Sequence, residues 1–363
     1  MQTVMQDAGE RAFAYTKACG IIGKSFVGNR ISILTGIRSL SELDRLIFPE
    51  LRRELPSREL LLDLEDRLVK RAVKQILAVI NSYSNPPELL IRQLRSYEYG
   101  DLKTCLHYLA GGMKTLPALS DIGRFKTMHF EAFPDLKAML AGTEADFILA
   151  KDLRAIQSGN FDLPALESEL DKRYYQRLKE SLGHLSAEDR SFAERIIAEE
   201  ISLRNCVWAF RLRTYFKKNA SETGKYLMDI KMHVGLDEIP GDIRQHKPIR
   251  HLREISLAAE AFESLDLPLD SRADWRFWRW EKFLNPEKPG EIWEVDPRYF
   301  QNAASEYLYQ LAMHCLHQVP LAISTAFCYV KLKQFEEDLL TSIAEGLGLG
   351  MGGKEVFELL EVR

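Results

Sequence analysis

His314 and His317 stand three residues apart in a stretch with helical patterning, a spacing that lets two imidazoles face one way and bind a metal ion. No Asp or Glu stands at helical spacing to complete a coordination shell, and the neighbouring Cys315 points elsewhere. The pair therefore reads as core or interface, and no metal is expected. Residues 348–353 spell G-x-G-x-x-G, but helical patterning precedes them where a dinucleotide site needs a strand. They read as a glycine-rich helix end, and no cofactor is expected. The adjacent carboxylates Glu199-Glu200 and Glu336-Glu337 would point about 100° apart on a helix, so they cannot act as an acid/base pair and read as solvated faces. His246 and His251 flank a proline-bearing loop and read as surface. A nucleophile elbow, an H-E-x-x-H run and a P-loop are all absent from the sequence.

The most unusual run is Trp275-Arg276-Phe277-Trp278-Arg279-Trp280. With Trp293 nearby, it holds four of the five tryptophans of the chain. Aromatic residues interleaved with arginine suit a membrane surface, a single-stranded nucleic acid or a protein partner. The simpler reading is that the tryptophans pack this segment onto its own domain. Trp275, Arg276, Trp278, Arg279 and Trp280 are nonetheless candidate partner-interface residues. Asp274, Glu281 and the net charge of −4 argue against nucleic acid.

The composition narrows the class. The 363 residues are 46% hydrophobic and 28% charged, which excludes intrinsic disorder. Lys and Arg number 49 against 53 Asp and Glu, unlike the strongly basic balance of proteins that live on duplex nucleic acid. The five cysteines are scattered without C-x-x-C spacing, so a disulfide scaffold is not expected and a reducing compartment fits. No secretory signal opens the chain, and no apolar run approaches the roughly 18 residues of a membrane span. A cytoplasmic location is expected.

Positioning falls almost entirely to helices. Apolar residues recur every three or four positions, as in Leu61, Leu64, Leu68, Ala72, Ile76 and Ile80, or Leu166, Leu170, Tyr174, Leu178 and Leu182. Only residues 29–34 pass for a strand. Ser41 with Asp44, Thr143 with Asp146, and Ser186 with Asp189 have the spacing of helix N-termini, and Asn85-Pro86-Pro87 reads as another start. Breaks at 111–125 and 235–248 divide the chain into parts at 1–118, 119–237 and 238–363, the last with a Trp/Arg-rich insertion near 266–296. Each part shows a similar series. A short Leu-rich helix comes first, around Leu40, Leu136 or Leu252. A long amphipathic helix follows, over 58–80, 164–182 or 299–316. A helix with a mixed charged and apolar face comes last, around 99–106, 200–207 or 334–339. The expected fold is all-α, built from three quasi-repeated helical domains.

Several ordered motifs carry a family likeness. Glu199-Glu200-Ile201-Ser202-Leu203-Arg204-Asn205-Cys206, continued by Arg211-Leu212-Arg213-Thr214-Tyr215, resembles the "E-I-D-L-x-N-L" run of the C subunit of A/V-type rotary ATPases, the d subunit of the vacuolar enzyme. Leu170-Asp171-Lys172-Arg173-Tyr174-Tyr175 is similar to that family's "LD-x-x-YY" helix, and Leu140-Ala141-Gly142-Thr143 to its "L-x-G-T" turn. Ala14-Tyr15 resembles its opening helix, and Ala326-Phe327-Cys328-Tyr329 its closing one. Ser202 and Cys206 depart from the pattern, and residues 266–296 have no place on it. The resemblance implies a funnel of three helical domains around a pseudo-threefold axis, with no active site. It further implies a central-stalk component, peripheral on the cytoplasmic face, between the proteolipid rotor ring and the central shaft subunits. On the best-matched helix, Arg204, Asn205 and Arg211 are candidate interface residues. A free-standing helical scaffold is the alternative that the helicity alone allows.

Overall fold

The structure is a computed structural model and describes residues 2–50, 54–150, 162–235 and 252–360. Helices dominate: α1 (Gln2–Ile22), α2 (Ile31–Leu34), α3 (Leu40–Ile47), α4 (Ser57–Ile80), α5 (Glu88–Leu94), α6 (Ser96–Ala110), α7 (Leu136–Leu140), α8 (Leu163–Leu182), α9 (Ala187–Thr214), α10 (Ala220–Gly224), α11 (Ala259–Leu265), α12 (Pro297–Gln318), α13 (Ile323–Gly348) and α14 (Gly353–Leu360). The three long amphipathic helices read from periodicity are α4, α8 and α12, and the mixed-face helices are α6, α9 and α13. The fold is all-α, as expected.

Local chemistry explains where the helices begin. Ser186 accepts a hydrogen bond from the Asp189 amide and starts α9, as its spacing suggests. Helix α3 starts earlier than the spacing of Ser41 and Asp44 implies. Ser39, not Ser41, is its cap and accepts from the Glu42 amide. Asp44 is instead drawn to Arg67 of α4 at 2.7 Å. Thr143 accepts from the Ala145 amide just before a short 3-10 turn, Asp146–Ala150.

Two expectations are corrected. Residues 29–34 contain the end of a 3-10 turn and α2, not a strand. The run around Leu252, expected as a short helix, is strand β2 (Leu252–Ser256), paired antiparallel with β1 (Lys231–Gly235), with Met232 opposite Ile255. An apolar run this short satisfies either period, and only its partner strand decides. The break expected over 235–248, the domain boundary at 237/238, and His246 and His251 lie outside the described residues, apart from Gly235 itself.

Helix α13 organises the core. Residues 322–333 are buried at every position, Lys331 and Lys333 included. It packs against α1, α4, α5, α9, α12 and α14. Its first half joins a core that includes Ile76, Leu102, Leu170, Ile201 and Leu311. Its second half, with Leu340 and Ile343, joins another containing Leu34, Leu43, Leu64 and Phe357. The glycine-rich segment ends α13 as the sequence suggests: Gly350 has φ +86°, and α14 follows.

Gly353 is required by close packing. A Cβ there would lie 2.3 Å from the Leu34 carbonyl oxygen and 3.0 Å from that of Ile37, which already accepts from the Gly353 amide at 2.8 Å. Both obstacles are backbone atoms and cannot swing aside. Gly353→Ala is expected to cost about 3 kcal/mol, read as a lower midpoint in urea unfolding. A midpoint equal to that of the parent chain would mean α14 does not seat on this turn.

The Trp-rich segment packs onto its own chain. Trp275, Trp278 and Trp280 are buried between α9 and α12. Phe210 of α9 meets Trp275, Trp278 and Phe300 edge-on, with centroids 5.5, 5.6 and 5.0 Å apart. Each indole N–H has an acceptor: the Pro268 carbonyl, the Glu260 carbonyl and the Ser202 hydroxyl respectively. Arg279 donates to both carboxylate oxygens of Glu199, at 2.9 and 3.0 Å. Arg276 stays exposed, next to an almost bare Phe277.

Candidate functional site: a polar cavity between helices

Helix α9 shows how the site arises. Most of its middle is buried, but Glu200, Arg204, Trp208 and Arg211 recur at the three- and four-residue spacing of one helix face. That face lines a cavity of about 1030 Å³. Five other helices turn similar stripes toward it: α4 with Glu65 and Val69, α6 with Tyr97, Asp101 and Thr104, α8 with Asp171, Tyr174 and Tyr175, α12 with Gln301, Ala304 and Leu308, and α13 with Lys331, Gln334 and Asp338.

The two motifs that carry the family likeness meet here. The Tyr175 hydroxyl donates to Glu200 Oε1 at 2.7 Å, and Lys331 Nζ lies 2.6 Å from Glu200 Oε2. The Arg204 guanidinium stands 5.6 Å from the Tyr175 ring centroid. Burial pushes the Glu200 carboxyl up, but Lys331 and Arg204, with hydrogen bonds from Lys331 and Tyr175, together hold it below the usual carboxylate range. Tyr175 raises Arg204 above the ordinary guanidinium value, against burial, and Asp171 and Glu200 add to the effect. Arg204 keeps its access to solvent through the cavity it lines. Lys103 of α6 reaches Asp171 of α8 at 2.7 Å and ties these two walls together.

Three carboxyls on the wall behave differently. Burial raises Asp101 to about 7, with Glu98 adding and hydrogen bonds from Ser120 opposing. Burial raises Glu337 to about 7, with Tyr97 donating to it at 2.6 Å and opposing. Asp338 is open to the cavity, but the protein atoms crowding around it raise it to about 6 against Arg204 and Lys331. Each folded value lies above the unfolded one near 4, so the folded chain holds protons that the unfolded chain has lost. The stability this gives is complete below the unfolded value and is lost as pH rises through the folded one. Lys333, which burial lowers to about 6, acts only above that pH, where stability rises with pH. Between pH 6 and 5 the carboxyls dominate. Thermal melts are expected to show a higher Tm at pH 5 than at pH 6, with a smaller difference in a Glu337→Gln/Asp338→Asn chain. A Tm that falls over this interval would contradict the assignment.

The candidate interface residues take different places. Arg204 and Arg211 line the cavity, and Arg211 donates to Gln301 of α12. Asn205, one position on, faces away and is fully buried, with its amide bonded to Met228 and Leu257. Trp275, Trp278 and Trp280 are core residues, Arg279 is bound to Glu199, and Arg276 is exposed. The adjacent carboxylates are not solvated faces. Glu199 and Glu336 are buried, and Glu200 and Glu337 line the cavity. Their 100° separation sends each pair to different partners, which a sequence pattern alone does not show. Tyr97, Asp101 and Lys331 carry no motif that would single them out, although 99–106 reads as a mixed-face helix that lines up with the best-matched run, and 334–339 as one that fits it only loosely. Among the described residues no group of three or more His, Cys, Asp or Glu side chains is placed to hold a metal ion.

An uncharacterized protein of Treponema pallidum (strain Nichols) is 26% identical over 344 residues, covering 93% of this chain and 92% of that protein. The C subunit of the A-type ATP synthase of Thermococcus gammatolerans is 22% identical over 310 residues, covering 82% and 76%. The family model described as ATP synthase (C/AC39) subunit matches residues 49–356. That span takes in every helix of the cavity wall, from α4 to α13, and the two motifs that meet at Glu200, so the chain belongs to the ATP synthase (C/AC39) subunit family.

Proposed function

We propose that the chain is the non-catalytic coupling piece in the central stalk of an A/V-type ATPase. It sits on the proteolipid rotor ring, receives the foot of the central shaft subunits in its cavity, and passes torque between them during ATP-coupled proton or sodium transport. The observation that carries this reading is the cavity itself. Within the family match, α4 and α6, α8 and α9, and α12 and α13 each supply part of one wall. These pairs belong to the three sequence parts 1–118, 119–237 and 238–363, which we take as repeats around an axis through the cavity. Torque transmission needs stiffness, and close-packed helices have low compressibility. Arg204 and Arg211 would meet the shaft from inside, and Arg276 a neighbour outside. Among the described residues no helix is long and apolar enough to cross a membrane, which fits a peripheral position on the cytoplasmic face. The reading requires no cofactor, metal or nucleic acid. Affinity purification of the tagged full chain from its own cells tests it. Shaft and ring subunits are expected in stoichiometric amounts. Recovery of the intact chain without them would favour a free-standing scaffold.

A further inference from the structure

A second cleft, of about 620 Å³, opens where α9 ends, beside the first turns of α8 and α12. That volume lies in the range of roughly 300–1,000 Å³ usual for small-ligand sites. Helix α9 closes in a turn with a left-handed residue, Lys217 at φ +51°, and the Lys218 amide donates back to the Leu212 carbonyl at 3.0 Å. The turn leaves two large rings in solvent at the cleft, Tyr215 at 55% exposure and Phe216 at 61%. Trp208 and Tyr226 supply two more. The ions there differ in how they are engaged. Asp162 caps α8 through the Ala165 amide and accepts from the Tyr226 hydroxyl at 3.0 Å, and Glu167 lies 2.9 Å from the His107 ring. Arg211, on the border with the central cavity, donates to Gln301. Lys218 holds its ammonium over the Tyr226 ring, 5.1 Å from the centroid, and neither it nor Arg298 forms an ion pair among the described residues.

We propose that this cleft binds a nucleotide, with its base against the aromatic rings, its ribose hydroxyls toward Asp162 and Glu167, and its phosphates at Lys218 and Arg298. Such a site is distinct from the central cavity and does not require the chain's coupling role. Each part of a nucleotide meets a matching group. Any base presents a flat face that stacks on aromatic rings. Carboxylates that already accept hydrogen bonds keep further lone pairs for ribose hydroxyls. Phosphate oxygens suit cations that have no carboxylate of their own. Other ligands fit only part of the wall. Inorganic phosphate leaves all four rings unused. An anionic lipid surface presses Asp162 and Glu167 against its own charge, and a basic peptide meets Lys218 and Arg298.

Titration of the full chain with ATP, ADP, adenosine and pyrophosphate, read by tryptophan fluorescence and by calorimetry, tests this. Trp208 is the tryptophan on the cleft, and the other four lie within 275–293. ATP is expected to quench its emission, and to bind more tightly than adenosine, which lacks the phosphates, or pyrophosphate, which lacks the ring. Trp208→Phe is expected to lose the quench and still bind ATP. Phe216→Ala should weaken ATP binding about fivefold or more, and Arg298→Glu about tenfold or more. Phe216 and Arg298 are exposed, so both variants should melt as the parent does. Failure of ATP and ADP to bind with a Kd below about 1 mM would overturn the site. So would a quench that persists in Trp208→Phe, which puts the ligand elsewhere, or ATP binding that neither Phe216→Ala nor Arg298→Glu weakens. Pyrophosphate bound as tightly as ATP would replace the nucleotide by a bare phosphate. Cosedimentation with phosphatidylglycerol vesicles, lost in Phe216→Ala and unaccompanied by nucleotide binding, would replace it by a lipid surface.

Discussion

Asn205→Leu is expected to destabilise the chain by about 3–5 kcal/mol, since it strands three buried backbone groups at about 1–3 kcal/mol each, partly offset by the apolar side chain gained. The residue has no exposure. Its Nδ2 donates to the Met228 and Leu257 carbonyls, both at 3.1 Å, and its Oδ1 accepts from the Met228 amide at 2.8 Å. One side chain thus ties α9 to the chain on both sides of the β1–β2 pair, where Leu257 also donates its amide to the Ile230 carbonyl at 2.8 Å. Leucine is close in size, so the loss comes from unmet hydrogen bonds and not from a cavity. Asn205→Asp keeps the acceptor and loses both donations. It should fall between the parent and leucine at low pH, where the carboxylic acid can still donate once, and approach leucine at neutral pH. Urea unfolding at pH 5 and 8 separates these cases. A leucine variant within about 0.5 kcal/mol of the parent, the scatter of ordinary surface changes, would mean that water replaces the amide and that the hairpin is not anchored here.

The same residue shows what a sequence can and cannot reveal. The run from Glu199 to Cys206 is legible as a helix, and as the best family match, because every residue in it obeys one local rule of spacing. Which of its polar residues looks into a cavity, and which into a loop, depends on what packs against each face. Arg204 and Asn205 are neighbours with opposite fates, set by α8 on one side and by Met228 and Leu257 on the other. The tryptophans repeat the lesson. Their composition suggests recognition, yet Phe210 and Phe300 supply ring partners, and three carbonyl or hydroxyl oxygens take up the N–H groups. The amphipathic helices α4, α8 and α12 are legible to within two residues because their apolar stripes span several turns, whereas only short middle stretches of α9 and α13 are legible. The β1–β2 pair is not, since a five-residue strand is specified by its partner across more than sixteen positions of chain.

Removing the Glu336 carboxylate should have an effect as large. Lys333 and Glu336 lie one turn apart on α13, both buried, and form an ion pair. Glu336 Oε1 also accepts from the Phe26 amide at 2.8 Å and lies 3.5 Å from the Arg71 guanidinium. Lys333 donates to the Ser25 hydroxyl at 3.2 Å. This face of α13 therefore holds the chain that follows α1, while the opposite face carries Lys331, Gln334 and Asp338 into the cavity. Glu336→Leu leaves the Phe26 N–H, the Arg71 guanidinium and the Lys333 amine without their acceptor, at an expected cost of about 3–5 kcal/mol. Lys333→Met alone should cost less, because Arg71 and the Phe26 amide still hold Glu336. The double variant should be more stable than Glu336→Leu, since it removes the ammonium that burial already pushes toward its neutral form. Two additive single effects would show that the pair is uncoupled. The expected non-additivity would show that the pair acts as one unit, tying this face of α13 to residues 25 and 26.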